Sequence, residues 1–203
     1  MEKRKAKRPL KICVSGAHGV GKSTLCFQLA NILKQHDINT KVIAENIRGC
    51  PFKINQEASI HTELWTFHKT FLDELNAVSE RYEAIVCDRG VLDVIAYFSE
   101  RKEEHSTYFD KIKDLAYFWA VSEYDLIILV EPEDIESKYT ADEVRDSDIE
   151  YRKRIIYSFR EVLGHIGNEI LRTKLLIVYS SDIFKSDLSV EKLERRLKLD
   201  ELI

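Results

Sequence analysis

An α/β fold, with a five-stranded parallel sheet and helices on both of its faces, is predicted by three features of the 203-residue sequence. Short apolar runs alternate with stretches whose apolar residues recur every three or four positions, and that alternation implies parallel strands joined by helical crossovers. Glycine-rich or charged residues follow the strand-like runs, where ligands of open parallel sheets bind. The chain is 44% hydrophobic and 33% charged, enough apolar material to bury one sizeable core under a solvated surface.

The first run, around Ile12 and Val14, leads into KICVSGAHGVGKSTL over 11–25. Gly16, Gly21, Lys22 and Ser23 complete the pattern G-x-x-x-x-G-K-[ST] between a strand and a helix, the context in which this motif cradles phosphate. Gly16, Gly19 and Gly21 permit a turn that aims several N–H groups at one point and lets the main chain approach a polyphosphate closely. The helix start favours anions through its unpaired N–H groups and its positive dipole end. Gly16, Ala17, His18, Gly19, Val20, Gly21, Lys22, Ser23 and Thr24 are therefore the predicted nucleotide-binding residues. Lys22 is to reach the outer phosphates and Ser23 to ligate Mg²⁺. His18 is expected to be a solvated residue at the loop tip, and Thr24 the start of the helix.

Leu25, Leu29, Ile32 and Leu33 then form one helical stripe, and TKVIA over 40–44 reads as a second strand, beside the first and ending at Glu45. The aperiodic stretch 46–55 reads as a loop, broken by Gly49 and Pro51. From 56 to 80, Ile60, Leu64, Phe67, Phe71, Leu75 and Val78 predict a long helix. EAIVC over 83–87 is a third strand before Asp88-Arg89, helices follow over 92–100 and 109–122, and the polar residues 101–106 separate them. DLIILV closes a fourth strand at Glu131-Pro132. The polar segment 138–147 precedes a helix over 148–163, KLLIVY over 174–179 is the fifth strand, and 190–199 is a closing helix.

The phosphate loop, Glu45, Asp88-Arg89 and Glu131 all lie at strand ends and are predicted to share one cleft. Asp88 is placed to complete a Mg²⁺ site with Ser23, or to cap the next helix. Arg89 faces an acceptor phosphate or neutralises Asp88. Glu45 is a candidate general base for an attacking hydroxyl, and Arg48 a candidate acceptor-binding group. On the long helix, Gln56, His61, Trp65 and His68 are candidates for reading a base. The polar segment near 133–152 has the length of a lid, in which Arg145, favoured over Arg152, is placed to stabilise charge on a transferring phosphoryl group.

A net charge of −4 argues against a general nucleic-acid surface. The cysteines at 13, 26, 50 and 87 lack metal-ligand spacing, so Cys13 and Cys87 are read as buried apolar side chains and the compartment as reducing. Without an apolar run of membrane-spanning length or a signal-like start, the expected location is cytoplasmic. Residues 1–10 are expected to be a basic, disordered lead-in, and 11–203 a single domain. A homodimer is left open.

With these segments placed, the chain resembles the P-loop nucleoside and nucleotide kinases. DRGVLDVIAY is similar to the Asp-Arg motif and following helix of thymidylate kinases, where the arginine contacts the acceptor phosphate. ENIR and DEVRDSDIEYR resemble segments of nicotinamide-riboside kinase domains and related small AAA-type ATPases. The resemblance implies the P-loop NTPase fold, ATP and Mg²⁺ as donor and metal, and a small-molecule acceptor. The motifs of GTPases (N-K-x-D, D-x-x-G) and of ABC proteins (L-S-G-G-Q) are not present. A different class stays open beside the kinase: a nucleotide-binding switch or slow NTPase whose output is a macromolecular interaction.

Overall fold

The computed structural model describes residues 8–134, 148–164 and 173–184. Its sheet contains β1 (Leu10–Ser15), β2 (Thr40–Ile43), β3 (Ala84–Asp88), β4 (Leu126–Glu131) and β5 (Leu175–Tyr179), all parallel, in the order β2-β3-β1-β4-β5. The helices are α1 (Lys22–Gln35), α2 (Ile60–Ser79), α3 (Val91–Phe98), α4 (Ser106–Glu123) and α5 (Ile149–Gly164), with a short helix at Ser180–Phe184. The predicted five-stranded α/β sheet is the one observed. One neighbour differs: β3 lies between β1 and β2, so β2 is an edge strand and not the neighbour of β1. Its thin burial, with only Thr40 of its four residues buried, fits that position.

The central strands are buried along nearly their whole length because both faces are covered. Ile12, Cys13, Val14, Ile85, Val86, Ile127 and Ile128 are inaccessible to solvent. Cys13 and Cys87 are buried, as their strand context predicts, and all four cysteines are free. Helix α1 buries Leu25, Cys26, Leu29, Ile32 and Leu33, which follow the apolar stripe of the sequence. Helix α2 begins four residues later than its periodicity suggests. Ser59 is its N-cap, with the Ser59 amide donating to Thr62 Oγ1 at 3.1 Å, and residues 55–57 form a separate 3₁₀ turn.

Two charged residues, Lys11 and Arg101, are buried. Lys11 is the second residue of β1, which starts one residue inside the predicted lead-in, at Leu10; it is 1% exposed and pairs with Glu74 of α2 at 3.1 Å. Arg101, within the predicted polar break, is held by Glu63 Oε1 at 3.2 Å and by the carbonyls of Ala58 and Asn55. It braces the segment before α2 against the end of α3. The predicted closing helix over 190–199 lies outside the described residues.

Register puts Val14 opposite Asp88, so the loop leaving β1 and the turn leaving β3 start side by side. The turn is close-packed. A methyl group on Gly90 would lie 2.5 Å from both Cys13 Sγ and the Tyr124 hydroxyl, so only glycine leaves room there for the core behind the site.

Candidate active site

The site begins with the β1–α1 loop. Gly16, Gly19 and Gly21 have φ of 142°, 76° and 94°, a region that favours glycine. At Gly16 space also matters, since a Cβ would sit 2.5 Å from the Val130 carbonyl oxygen. Ala17 and Val20 turn into the core while the loop backbone rims the cavity. Lys22 is 6% exposed and donates to the Ala17 carbonyl at 2.7 Å, which folds the loop around its own cation. Burial lowers the Lys22 pKa from 10.5 to about 8; nearby Arg89 adds to that, and Glu45, Asp88 and Asp93 oppose it.

Ser23 Oγ donates to Asp88 Oδ2 at 2.5 Å, while among the described residues the buried Asp88 Oδ1 has no hydrogen-bond partner. A hydroxyl beside an orphaned carboxylate oxygen suits a hard cation of the Mg²⁺ type, which takes few protein oxygens and keeps water or phosphate oxygens for the rest. Among the described residues no group of three or more His, Cys, Asp or Glu could hold a metal by itself. Asp88 does not cap the next helix. That position belongs to Gly90, whose amide donates to Asp93 Oδ2 at 3.0 Å.

Arg89 occupies the left-handed region at φ 78°, and its amide donates to the Val14 carbonyl at 3.0 Å. Its Nε pairs with Glu45 Oε1 at 2.5 Å, its Nη1 lies 3.6 Å from Asp93, and the guanidinium sits 5.1 Å from the Tyr97 ring centroid. Several contacts thus hold an unfavourable backbone in place. Burial would raise the Glu45 pKa, but the charges of Arg89 and Lys22 and the Arg89 hydrogen bond outweigh it and hold the carboxyl below its usual range. Asp93 accepts from Ser15 Oγ at 2.7 Å and joins the cradle to the β3 turn; burial raises its pKa against the pull of Arg89 and Lys22.

The cradle opens into a cavity of about 270 Å³, close to the smaller small-molecule sites at roughly 300 Å³. Its wall beyond Glu45 and Arg89 is formed by Asn46 and by Thr62, Glu63, Thr66 and Thr70 of α2. The threonines recur every fourth residue, and Asn46 Nδ2 donates to Thr70 Oγ1 at 3.0 Å. Burial pushes the Glu63 carboxyl up to about 7, with Arg101 opposing.

Glu45, Asp88, Arg89, Lys22 and Ser23 therefore converge as the sequence predicts, and Thr24 stands exposed at the rim. Other placements differ. His18 is buried, not solvated: its Nδ1 lies 3.3 Å from the Tyr97 hydroxyl, and its ring stacks on Tyr151 at 6.2 Å. Glu131 does not line the cavity and is engaged by Arg160 at 2.7 and 3.0 Å. Arg48 is exposed and outside the lining. His61, Trp65 and His68 line a separate surface depression with Phe52, and Gln56 donates to Asp148 at 3.3 Å. Arg145 lies outside the described residues, as does most of the predicted lid, whereas Arg152 is 1% exposed within α5. The residues missed were Asp93 and Tyr97, four and eight positions after Arg89, and the threonine stripe of α2. Both patterns are visible as helical spacing. Arg101 and Tyr151 carry no such signal.

A parallel sheet whose central strand runs into this cradle defines a P-loop protein built to hold phosphate. The AAA domain family matches residues 11–175, and the chain belongs to that family. The crystal structure of NadR protein in complex with NR is similar at 20% identity and a TM-score of 0.69, over 94% of this chain and 52% of that one. The chain thus spans about half the length of that relative. Deoxyadenosine kinase from M. mycoides with bound dCTP is similar at 16% identity and a TM-score of 0.60, over 93% and 99% of the two chains. At these identities the likeness is one of fold: a parallel α/β sheet with a P-loop after its first strand. A search of curated proteins by sequence finds no match. No helix among the described residues is long and apolar enough to cross a membrane.

Proposed function

We propose that the protein transfers the γ-phosphoryl group of ATP to a small nucleoside or nucleoside monophosphate in a Mg²⁺-dependent reaction. The observation that carries this is the room beside the cradle: the cavity continues from Lys22 past the Glu45–Arg89 pair to the polar wall of α2, leaving space for a second molecule. Lys22 and the loop amides hold the donor phosphates, and Ser23 and Asp88 hold the metal, whose charge neutralises the phosphate oxygens. Glu45, ionised at neutral pH, accepts the proton of the acceptor hydroxyl as its oxygen bonds to the γ-phosphorus and the bond to ADP breaks. Arg89 orients Glu45 and faces the acceptor. Positioning and charge stabilisation supply most of what phosphoryl transfer requires. Arg145 is the group proposed to close over the γ-phosphate from the chain after β4.

ADP formation from Mg²⁺ATP, measured against a panel of nucleosides, nucleoside monophosphates and nicotinamide riboside, tests this. Stimulation by one acceptor is expected. A slow rate that every acceptor leaves unchanged would replace the kinase with an NTPase acting through a macromolecular partner.

The buried Lys22 adds a pH signature. Its folded pKa, about 8, lies below the unfolded value of 10.5. The penalty of burying the cation is therefore fully present below pH 8, and the stability of the nucleotide-free protein rises between those two values as the unfolded chain binds more protons. Polyphosphate raises the Lys22 pKa, so ATP binding at pH 8.5 is expected to take up a substantial fraction of a proton per site, and much less through Lys22 at pH 7. Calorimetry in two buffers of different ionisation enthalpy reads this, and equal heats at pH 8.5 would show that Lys22 is already fully charged.

A further inference from the structure

Where α2 and α5 line the cavity, two polar atoms have no hydrogen-bond partner among the described residues. Tyr151 is 1% exposed, yet among the described residues its hydroxyl has no hydrogen-bond partner, although buried polar groups are almost always paired. Its ring is fixed by the His18 stack on one contact and by Arg154, whose guanidinium lies 5.6 Å from the ring centroid, on another. Burial pushes the phenol pKa up, so the hydroxyl stays a donor at any physiological pH. Glu63, 4% exposed and electrostatically coupled to Tyr151, lines the same cavity. Its Oε1 takes Arg101 Nη1 at 3.2 Å, and among the described residues nothing donates to Oε2. Arg101 is itself committed to the Ala58 and Asn55 carbonyls. Beside them Thr66 donates its proton to the Thr62 carbonyl at 2.8 Å and can only accept from a ligand.

We propose that this wall is a specificity subsite for an amide-type edge, a hydrogen-bond acceptor beside an N–H donor, carried by the base or carboxamide of the acceptor molecule. The Tyr151 hydroxyl donates to the acceptor atom of that edge, and Glu63 Oε2, on a carboxyl ionised above about pH 7, accepts from its N–H. A ligand without the edge fills the same volume but leaves both groups orphaned, which is how a polar site rejects an isostere. The subsite rests on the cavity being the acceptor site of the proposed kinase.

Equilibrium binding to the full chain without a phosphoryl donor separates the possibilities. Adenosine is compared with 1-deazapurine riboside, which lacks both the N1 acceptor and the exocyclic amine, and nicotinamide riboside with the riboside of unsubstituted pyridine. The member bearing the edge is expected to bind at least ~10-fold tighter in one of the pairs. Tyr151→Phe should shrink that gap about 5- to 10-fold by weakening only that member. The variant's melting temperature without ligand should not fall, because the deleted hydroxyl had no partner. A gap unchanged in Tyr151→Phe, equal weakening of both members, or a lower ligand-free melting temperature overturns the subsite alone. If Mg²⁺ATP binds but no nucleoside or nucleotide of the panel does, the proposed function fails and the subsite fails with it.

Discussion

Lys22→Ala is expected to lower acceptor-dependent ADP formation by ~10²–10³-fold, the usual effect of removing one preorganised charge-stabilising group. Lys22 is the buried cation at the floor of the cradle, and among the described residues its only hydrogen bond is to the loop before it, at Ala17. Its charge is unfavourable in the empty protein, as its lowered pKa records. Developing charge on the transferring group is what would repay that cost. The fold should tolerate the change, because alanine removes a penalised charge and leaves the helical start of α1 intact. The comparison is kcat/KM with the best acceptor alongside thermal unfolding without ligand. Loss of activity at a near-constant melting temperature supports the assigned role, whereas an unchanged rate removes Lys22 from the mechanism.

Glu74→Ala should destabilise the fold by ~3–5 kcal/mol, the cost of leaving a buried ion without its partner. Glu74 is 1% exposed and takes three donors: Lys11 Nζ at 3.1 Å, Trp119 Nε1 at 2.8 Å and the Tyr124 hydroxyl at 2.6 Å. Deleting the carboxylate strands a cation, an indole and a phenol at once, and Glu123, 3.4 Å from Lys11, is too exposed to replace it. The damage should reach the site. Tyr124 also accepts from the Val91 amide at 3.2 Å, next to the turn that carries Asp88 and Arg89. Replacing both ions, with Lys11→Met and Glu74→Leu, should recover the part of the loss that comes from the stranded cation, while the Trp119 and Tyr124 donors still lack Glu74. Urea unfolding of the three proteins decides this, and a cost below ~1 kcal/mol for Glu74→Ala would mean that water reaches the pocket.

Much of the architecture was legible in the chain because it depends on neighbours in sequence. Strand and helix identities follow from the spacing of Ile12, Val14, Leu25, Leu29 and their equivalents, which packing only confirms. The cradle is likewise local: Gly16, Gly21, Lys22 and Ser23 are close in sequence, and the φ values of the glycines are properties of the loop itself. Strand-end position also brought Glu45, Asp88 and Arg89 to the right place. The same rule failed for Glu131, because Arg160 of α5 engages it away from the cavity.

The roles of individual side chains were set by contacts between distant segments. Periodicity put His61, Trp65 and His68 on the long helix but could not fix which face meets the cleft; the structure turns Thr62, Glu63, Thr66 and Thr70 toward it. The burial of His18, Lys11 and Arg101 depends on Tyr97, Glu74 and Glu63, each at least 38 residues away. The sequence by itself determined the parallel α/β framework and the phosphate loop, because periodicity and local backbone preference act over a few residues. Only the tertiary structure decided the order of β2 and β3 and the polar wall facing the cradle, because a charge or hydroxyl is buried only where folding supplies its partner.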